Sequence, residues 1–176
     1  MPQIDVSSET HLLAALVLFS RLGDVVSTWL VTPRLRLEAN PVVRRLGWRF
    51  AALTLFVAFV PYAHAGLGVA ILTTSLFVTA SNLSRGWMVR AMGEAEYEHM
   101  LLDVARRGSR REALAFVNGG AAFILSAGLV LIWLDGPVSW GFWFGFGIIT
   151  YAFAISVHGS FFIVRTFRRA AQSNAT

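Results

Sequence analysis

Five apolar stretches dominate the chain, and the connections between them alternate between arginine-rich and nearly uncharged. About 20 consecutive apolar residues make an α-helix long enough to cross a bilayer's hydrocarbon core. The pattern therefore predicts an all-α fold, a polytopic integral membrane protein with five transmembrane helices. The first covers 11–32 and is closed by Pro33, which removes a helical hydrogen bond. Asn40 followed by Pro41 reads as an N-cap and first helical position, opening a second helix over 41–63. That helix is amphipathic through Arg45 and apolar from Phe50 to about Val60. Pro61 and the small residues of AHAGLG predict a tight turn, and a third helix spans 67–88. A polar helix over 90–107 follows, acidic early and basic late, as the helix dipole favours. Ser109 with Glu112 forms a capping-box pattern that opens a fourth helix over 110–134. DGPVSWG is a turn, the fifth helix covers 139–165, and the basic end RTFRRAAQSNAT is expected to fray. Residues 1–168 are thus one transmembrane domain and 169–176 a flexible tail.

Arginine placement orients these helices. Basic residues collect after the first and third apolar stretches and in the tail, whereas the amino terminus, the Pro61 turn and the Asp135 turn hold none. Since cytoplasmic loops carry the excess of Lys and Arg, the amino terminus is predicted outside and the carboxyl terminus cytoplasmic, in a multi-pass protein of the cell membrane. A four-crossing alternative fuses the second and third stretches into a run of roughly 38 residues, far beyond the ~20 a span needs, and spoils the alternation. MPQIDVSSET lacks the basic n-region of a secretory signal, so the first helix is expected to be retained.

Composition sharpens this picture. The 176 residues are 56% hydrophobic and 14% charged, against about 25% charged in soluble domains. The net charge of +5 would suggest nucleic acid in a soluble protein, but here the arginines flank apolar runs, and no nucleic-acid partner is expected. All 15 basic residues are Arg. Cysteine is absent, which excludes disulfides, thiolate metal sites and thiol catalysis. No nucleophile elbow, zincin, phosphate loop or dinucleotide motif occurs.

Chemistry must then come from polar groups placed within apolar helices. Arg21 and Asp24 lie inside the first; a charge in lipid costs roughly 2.5 to 3.5 kcal/mol on insertion scales and marks a functional site by default. At about 1.5 Å of rise per residue, Asp24, Asn82, Asn118 and His158 all fall roughly 7 to 12 Å below the cytoplasmic surface. Helical periodicity puts Ser20, Arg21, Asp24, Ser27 and Thr28 within one arc, Ser75, Thr79 and Asn82 on one stripe, and Tyr151, His158 and Arg165 on another. The expectation is one inward-facing polar pocket near the cytoplasmic leaflet. In it Asp24 and His158 are the candidate catalytic groups, either acting as general base. Arg21, Thr28, Glu38, Asn40, Asn82, Asn118, Tyr151 and Arg165 are the candidate substrate-binding groups. Arg34, Arg36, Arg44, Arg45 and Arg165 would draw anionic headgroups to the rim. Asp24, Glu38 and His158 offer oxygen and nitrogen ligands to a divalent ion, although the sequence names no metal or cofactor.

Each group also has a plainer role. Arg21 and Asp24 can neutralise each other three residues apart, Asn40 can serve only as a cap, and Asn82 and Asn118 can be interhelical glue. Glu96 and His99 form a single E-x-x-H where a di-iron bundle needs two. His11 and His64 fall near the outer surface. Gly141 and Gly145 form G-x-x-x-G, and with Gly119 and Gly120 predict close helix packing.

Asp24, Ser27 and Thr28 followed by Glu38, Asn40 and Pro41, read as D-x-x-S-T then E-x-N-P, resemble a family of small bacterial and archaeal membrane proteins known only as a domain of unknown function. The resemblance covers the first half of the chain and implies a membrane-embedded polar signature, without an activity.

Three functions are compatible with these residues. The first is binding of, or chemistry on, a lipid-phase or anionic-headgroup substrate in the polar pocket, with membrane lipids as partners. The second is a non-catalytic subunit of a larger membrane complex, for which Gly141→Leu would be more harmful than Asp24→Asn. The third is a transporter or ion channel, which without internal repeats needs a homo-oligomer.

Overall fold

A computed structural model describes residues 7–38, 40–137 and 139–172. All regular structure among them is helical. Four helices are long and apolar enough to cross a membrane. The first, α1 (Ser8–Val31), begins at Ser7, whose side chain accepts from Thr10 N, and ends at Thr32 just before Pro33.

The stretch expected as one helix over 41–63 is instead broken into four pieces. Asn40 Oδ1 accepts from Val42 N at 2.9 Å and caps α2 (Pro41–Leu46). Gly47 then takes φ +68°, a left-handed value that costs a side-chain-bearing residue more than glycine. After it come α3 (Trp48–Leu53), a 3₁₀ segment (Thr54–Phe59) and α4 (Val60–Ala63). Pro61 lies inside α4 rather than in the turn. Having no N–H, it leaves Val57 without the donor an α-helix would supply, and the turn before it winds tighter as 3₁₀. The turn itself falls at His64, whose side chain accepts from Leu67 N and caps α5 (Ala65–Met92).

These pieces nevertheless run the whole height of α1. At the lower end Trp48 Nε1 donates to Pro33 O at 3.2 Å, midway Thr54 meets Arg21, and at the upper end Tyr62 Oη is 2.9 Å from His11 Nδ1. The chain has to return to the upper end because α1 and α5 are parallel. Gly68 faces Leu13, Ser75 faces Arg21, Asn82 faces Thr28 and Gly86 faces Val31, so the numbers rise together.

Beyond α5 come α6 (Glu94–Arg107), α7 (Arg110–Leu134) and α8 (Trp140–Gln172). Ser109 caps α7, accepting from Glu112 N. The bundle is a row in which α5 packs on both α1 and α8, and α7 packs on α8. Glycines set the closest crossings. A Cβ on Gly145 would lie 2.7 Å from Gly128 O, and one on Gly147 would lie 2.7 Å from Ala70 O. Gly141 is turned toward the Asp135 side chain, while Gly119 and Gly120 have nothing within 4 Å of an added Cβ, so these three do not make the helix contacts expected of them. His11 pairs with Tyr62, and His64 stacks edge-on against Trp143 at 4.8 Å.

At the lower end α6 covers the foot of α8. Arg169 Nη1 donates to Glu98 Oε1 at 2.5 Å, and Ala170 is buried. Helix α8 therefore continues to Gln172, through part of the tail expected to fray; residues 173–176 of that tail lie outside the described residues.

Candidate functional site

Between α1, α5 and the 3₁₀ segment lies a half-buried polar cluster. Arg21 Nη1 donates to Asp24 Oδ2 at 2.5 Å and to Ser75 Oγ at 3.3 Å, while Nη2 donates to Thr54 Oγ1 at 2.7 Å. One guanidinium thus ties three elements, with Nε buried and unpartnered. A turn lower, Asn82 Nδ2 donates to Ser27 Oγ at 3.2 Å and Thr28 Oγ1 at 3.0 Å. A second cluster joins α7 to α8: Asn118 Nδ2 donates to Ser160 Oγ at 3.1 Å, and Ser156 Oγ donates to Asn118 Oδ1 at 2.6 Å.

These clusters share a level but not a face. Phe77 of α5 stacks on Tyr151 of α8 at 5.2 Å. Asn82 lies five residues below the first ring and His158 seven below the second, which separates them by roughly 3 Å in height. Yet Asn82, like Ser75, is on the α1 side of α5, and His158 belongs to the Tyr151 stripe of α8 on the other side. No hydrogen bond or ion pair joins Asp24 to His158 among the described residues, and α5 stands between their helices. Depth is additive along a sequence, whereas the azimuth of a helix is set by its neighbours. The single pocket expected around Asp24 and His158 is therefore not formed. His158 Nδ1 is buried without a partner, and Tyr151 is a core residue.

The divalent-ion reading of Asp24, Glu38 and His158 also fails to assemble. Glu38 accepts from Asn40 N at 2.7 Å, and no group of three or more His, Asp or Glu side chains gathers among the described residues. Of the D-x-x-S-T residues, Asp24 pairs with Arg21 within α1 and Ser27 and Thr28 accept from Asn82 of α5, while Glu38 accepts from Asn40 N and Asn40 caps α2.

A different assembly occupies the lower rim. Glu94 accepts from Thr32 Oγ1, from Arg36 N at 2.8 Å and from Arg34 N at 3.3 Å. It holds a connection in which Leu35 has φ 54°, a conformation costing about 1 to 2 kcal/mol without a glycine. Arg165 Nη2 reaches Arg36 O at 3.5 Å, and its Nη1 is buried with no partner. Beside it a cavity of about 370 Å³ is lined by Arg44 of α2 and by Phe161, Phe162, Val164, Arg165, Arg168, Arg169 and Gln172 of α8. Of the predicted site residues Arg165 alone lines it, joined by the rim residue Arg44. Arg168, Arg169 and Phe161 were missed, although positions 161, 165, 168 and 172 follow helical spacing and were legible once α8 was allowed to continue. Glu94 and Glu98 gave no such signal, because their partners are distant in sequence.

Compared with protein-family models, curated proteins and solved structures, the chain gives no match. What stands is a chain all-helical among the described residues, with four helices long and apolar enough to cross a membrane and a basic, partly apolar cavity at one end of the bundle.

Proposed function

We propose that this is a five-pass protein of the cell membrane, amino terminus outside, that binds an anionic phospholipid at its cytoplasmic rim. The carrying observation is the cavity between α2 and α8, where four arginines meet two phenylalanines and a valine. Arginine presents planar paired donors that match phosphate oxygens, and the apolar side chains suit the first methylenes of an acyl chain. Basic residues near an anionic leaflet contribute about 1 kcal/mol each, so four amount to roughly a thousandfold in affinity. The reading is of binding rather than chemistry, since the two groups expected to exchange protons are on opposite sides of α5. The fifth crossing is the broken 41–63 stretch, supported by its contacts along α1.

Two measurements test this. In a chain without cysteine, Glu9→Cys and Glu96→Cys are separated by three crossings if the broken stretch spans. A membrane-impermeant maleimide on intact cells is expected to label the first and to reach the second only after permeabilisation. Labelling of both from one side removes the fifth crossing. For the ligand, detergent-purified protein titrated with phosphatidylglycerol is expected to bind it well above phosphatidylcholine, and Arg165→Gln with Arg168→Gln to weaken it by about 30-fold. Inorganic phosphate is expected to compete poorly because it has no acyl chain. Equal affinity for the two lipids rejects the assignment.

A further inference from the structure

Resting on that reading, we infer that α6 is an acidic lid. The Glu98 carboxylate holds the anion position on Arg169 until a phospholipid phosphate displaces it. Arg165 and Arg169 are one helical turn apart on α8 and line two adjoining spaces. On one side is the open cavity. On the other is a gap of about 10 Å³, too small for a ligand, closed by Glu98, Leu101 and Leu102 of α6. The same two guanidinium groups therefore face both a built-in carboxylate and the space proposed for a phosphate.

The contact is suited to exchange. Glu98 and Arg169 keep 23% and 47% of their side-chain surface exposed, and an ion pair so open contributes little. A phosphodiester carries the same charge as the carboxylate, but an open cavity lets Arg165, Arg168 and Arg44 add their donors to it. Arg165 has a buried Nη1 without a partner, and buried polar groups ordinarily have one. The lid also has a pivot. Helix α6 begins after Gly93 at φ +87° and ends at Gly108.

The test uses full-length protein and phosphatidylglycerol, with phosphatidylcholine as control. Glu98→Gln is expected to raise phosphatidylglycerol affinity about fivefold, the equivalent of one exposed ion pair. Spin labels on His99→Cys and Ala171→Cys, with Glu98 intact, are expected to move apart as phosphatidylglycerol is added and to stay put with phosphatidylcholine. If phosphatidylglycerol is preferred but Glu98→Gln leaves its affinity unchanged and the label distance does not respond, the lid is wrong and the lipid site stands. If phosphatidylglycerol is not preferred by either protein, the lipid site and its lid fall together.

Discussion

Replacing Arg21 by methionine is expected to destabilise the protein by about 3 to 5 kcal/mol, the cost of stranding one member of a buried ion pair. The side chains of Arg21 and Asp24 are 18% and 14% exposed. Without the guanidinium, the Asp24 carboxyl is left beside apolar helices without its Arg21 donor, and Thr54 and Ser75 lose the donor that draws the broken stretch and α5 to α1. The double variant Arg21→Met with Asp24→Leu is expected to recover most of that loss, because replacing both charges by apolar groups of similar size is close to neutral. Unfolding of the detergent-purified variants by heat or by SDS measures the difference. A single variant as stable as the parent, with phospholipid binding abolished, would reverse the conclusion and make the pair a ligand site.

The second large effect is at the crossing of α7 and α8. Leucine at Gly145 is expected to destabilise by about 3 kcal/mol or more, the upper end of overpacking costs. Its Cβ would already lie 2.7 Å from Gly128 O, 3.0 Å from the Ile132 side chain and 3.1 Å from Leu131 Cβ. Two of these neighbours cannot swing aside without moving the backbone of α7. Gly119, on α7, makes the contrast, since an added Cβ there meets nothing within 4 Å. Gly119→Ala is expected to stabilise by up to about 1 kcal/mol through helix propensity alone. The same unfolding assay reads both, and a Gly145→Leu protein no less stable than Gly119→Ala would contradict the packing described. Gly141 distinguishes nothing about a partner subunit, because it faces Asp135 within its own chain.

Much of the architecture was legible before any contact was known. The start of α7 at Ser109 and of α2 at Asn40 follow from local caps, whose partners are two or three residues away. The break inside 41–63 was less visible. Gly47 and Pro61 were both in plain sight, but an apolar run reads as continuous until one asks which carbonyls lose their donors. Thr54 carried no signal at all, since a threonine in an apolar stretch becomes notable only when Arg21 from another helix reaches it.

By itself the sequence determined the helical class, the long apolar elements, the caps at Asn40 and Ser109, and the depth of each polar residue along its own helix. These depend on neighbours within a few positions, where spacing translates directly into geometry. Only the tertiary structure decided that α5 separates Asp24 from His158, that Gly145 rather than Gly119 makes a close crossing, and that Arg44 of α2 meets the arginine stripe of α8. Each of those outcomes depends on how helices rotate about their axes when they pack, and no periodicity within a single helix specifies that angle.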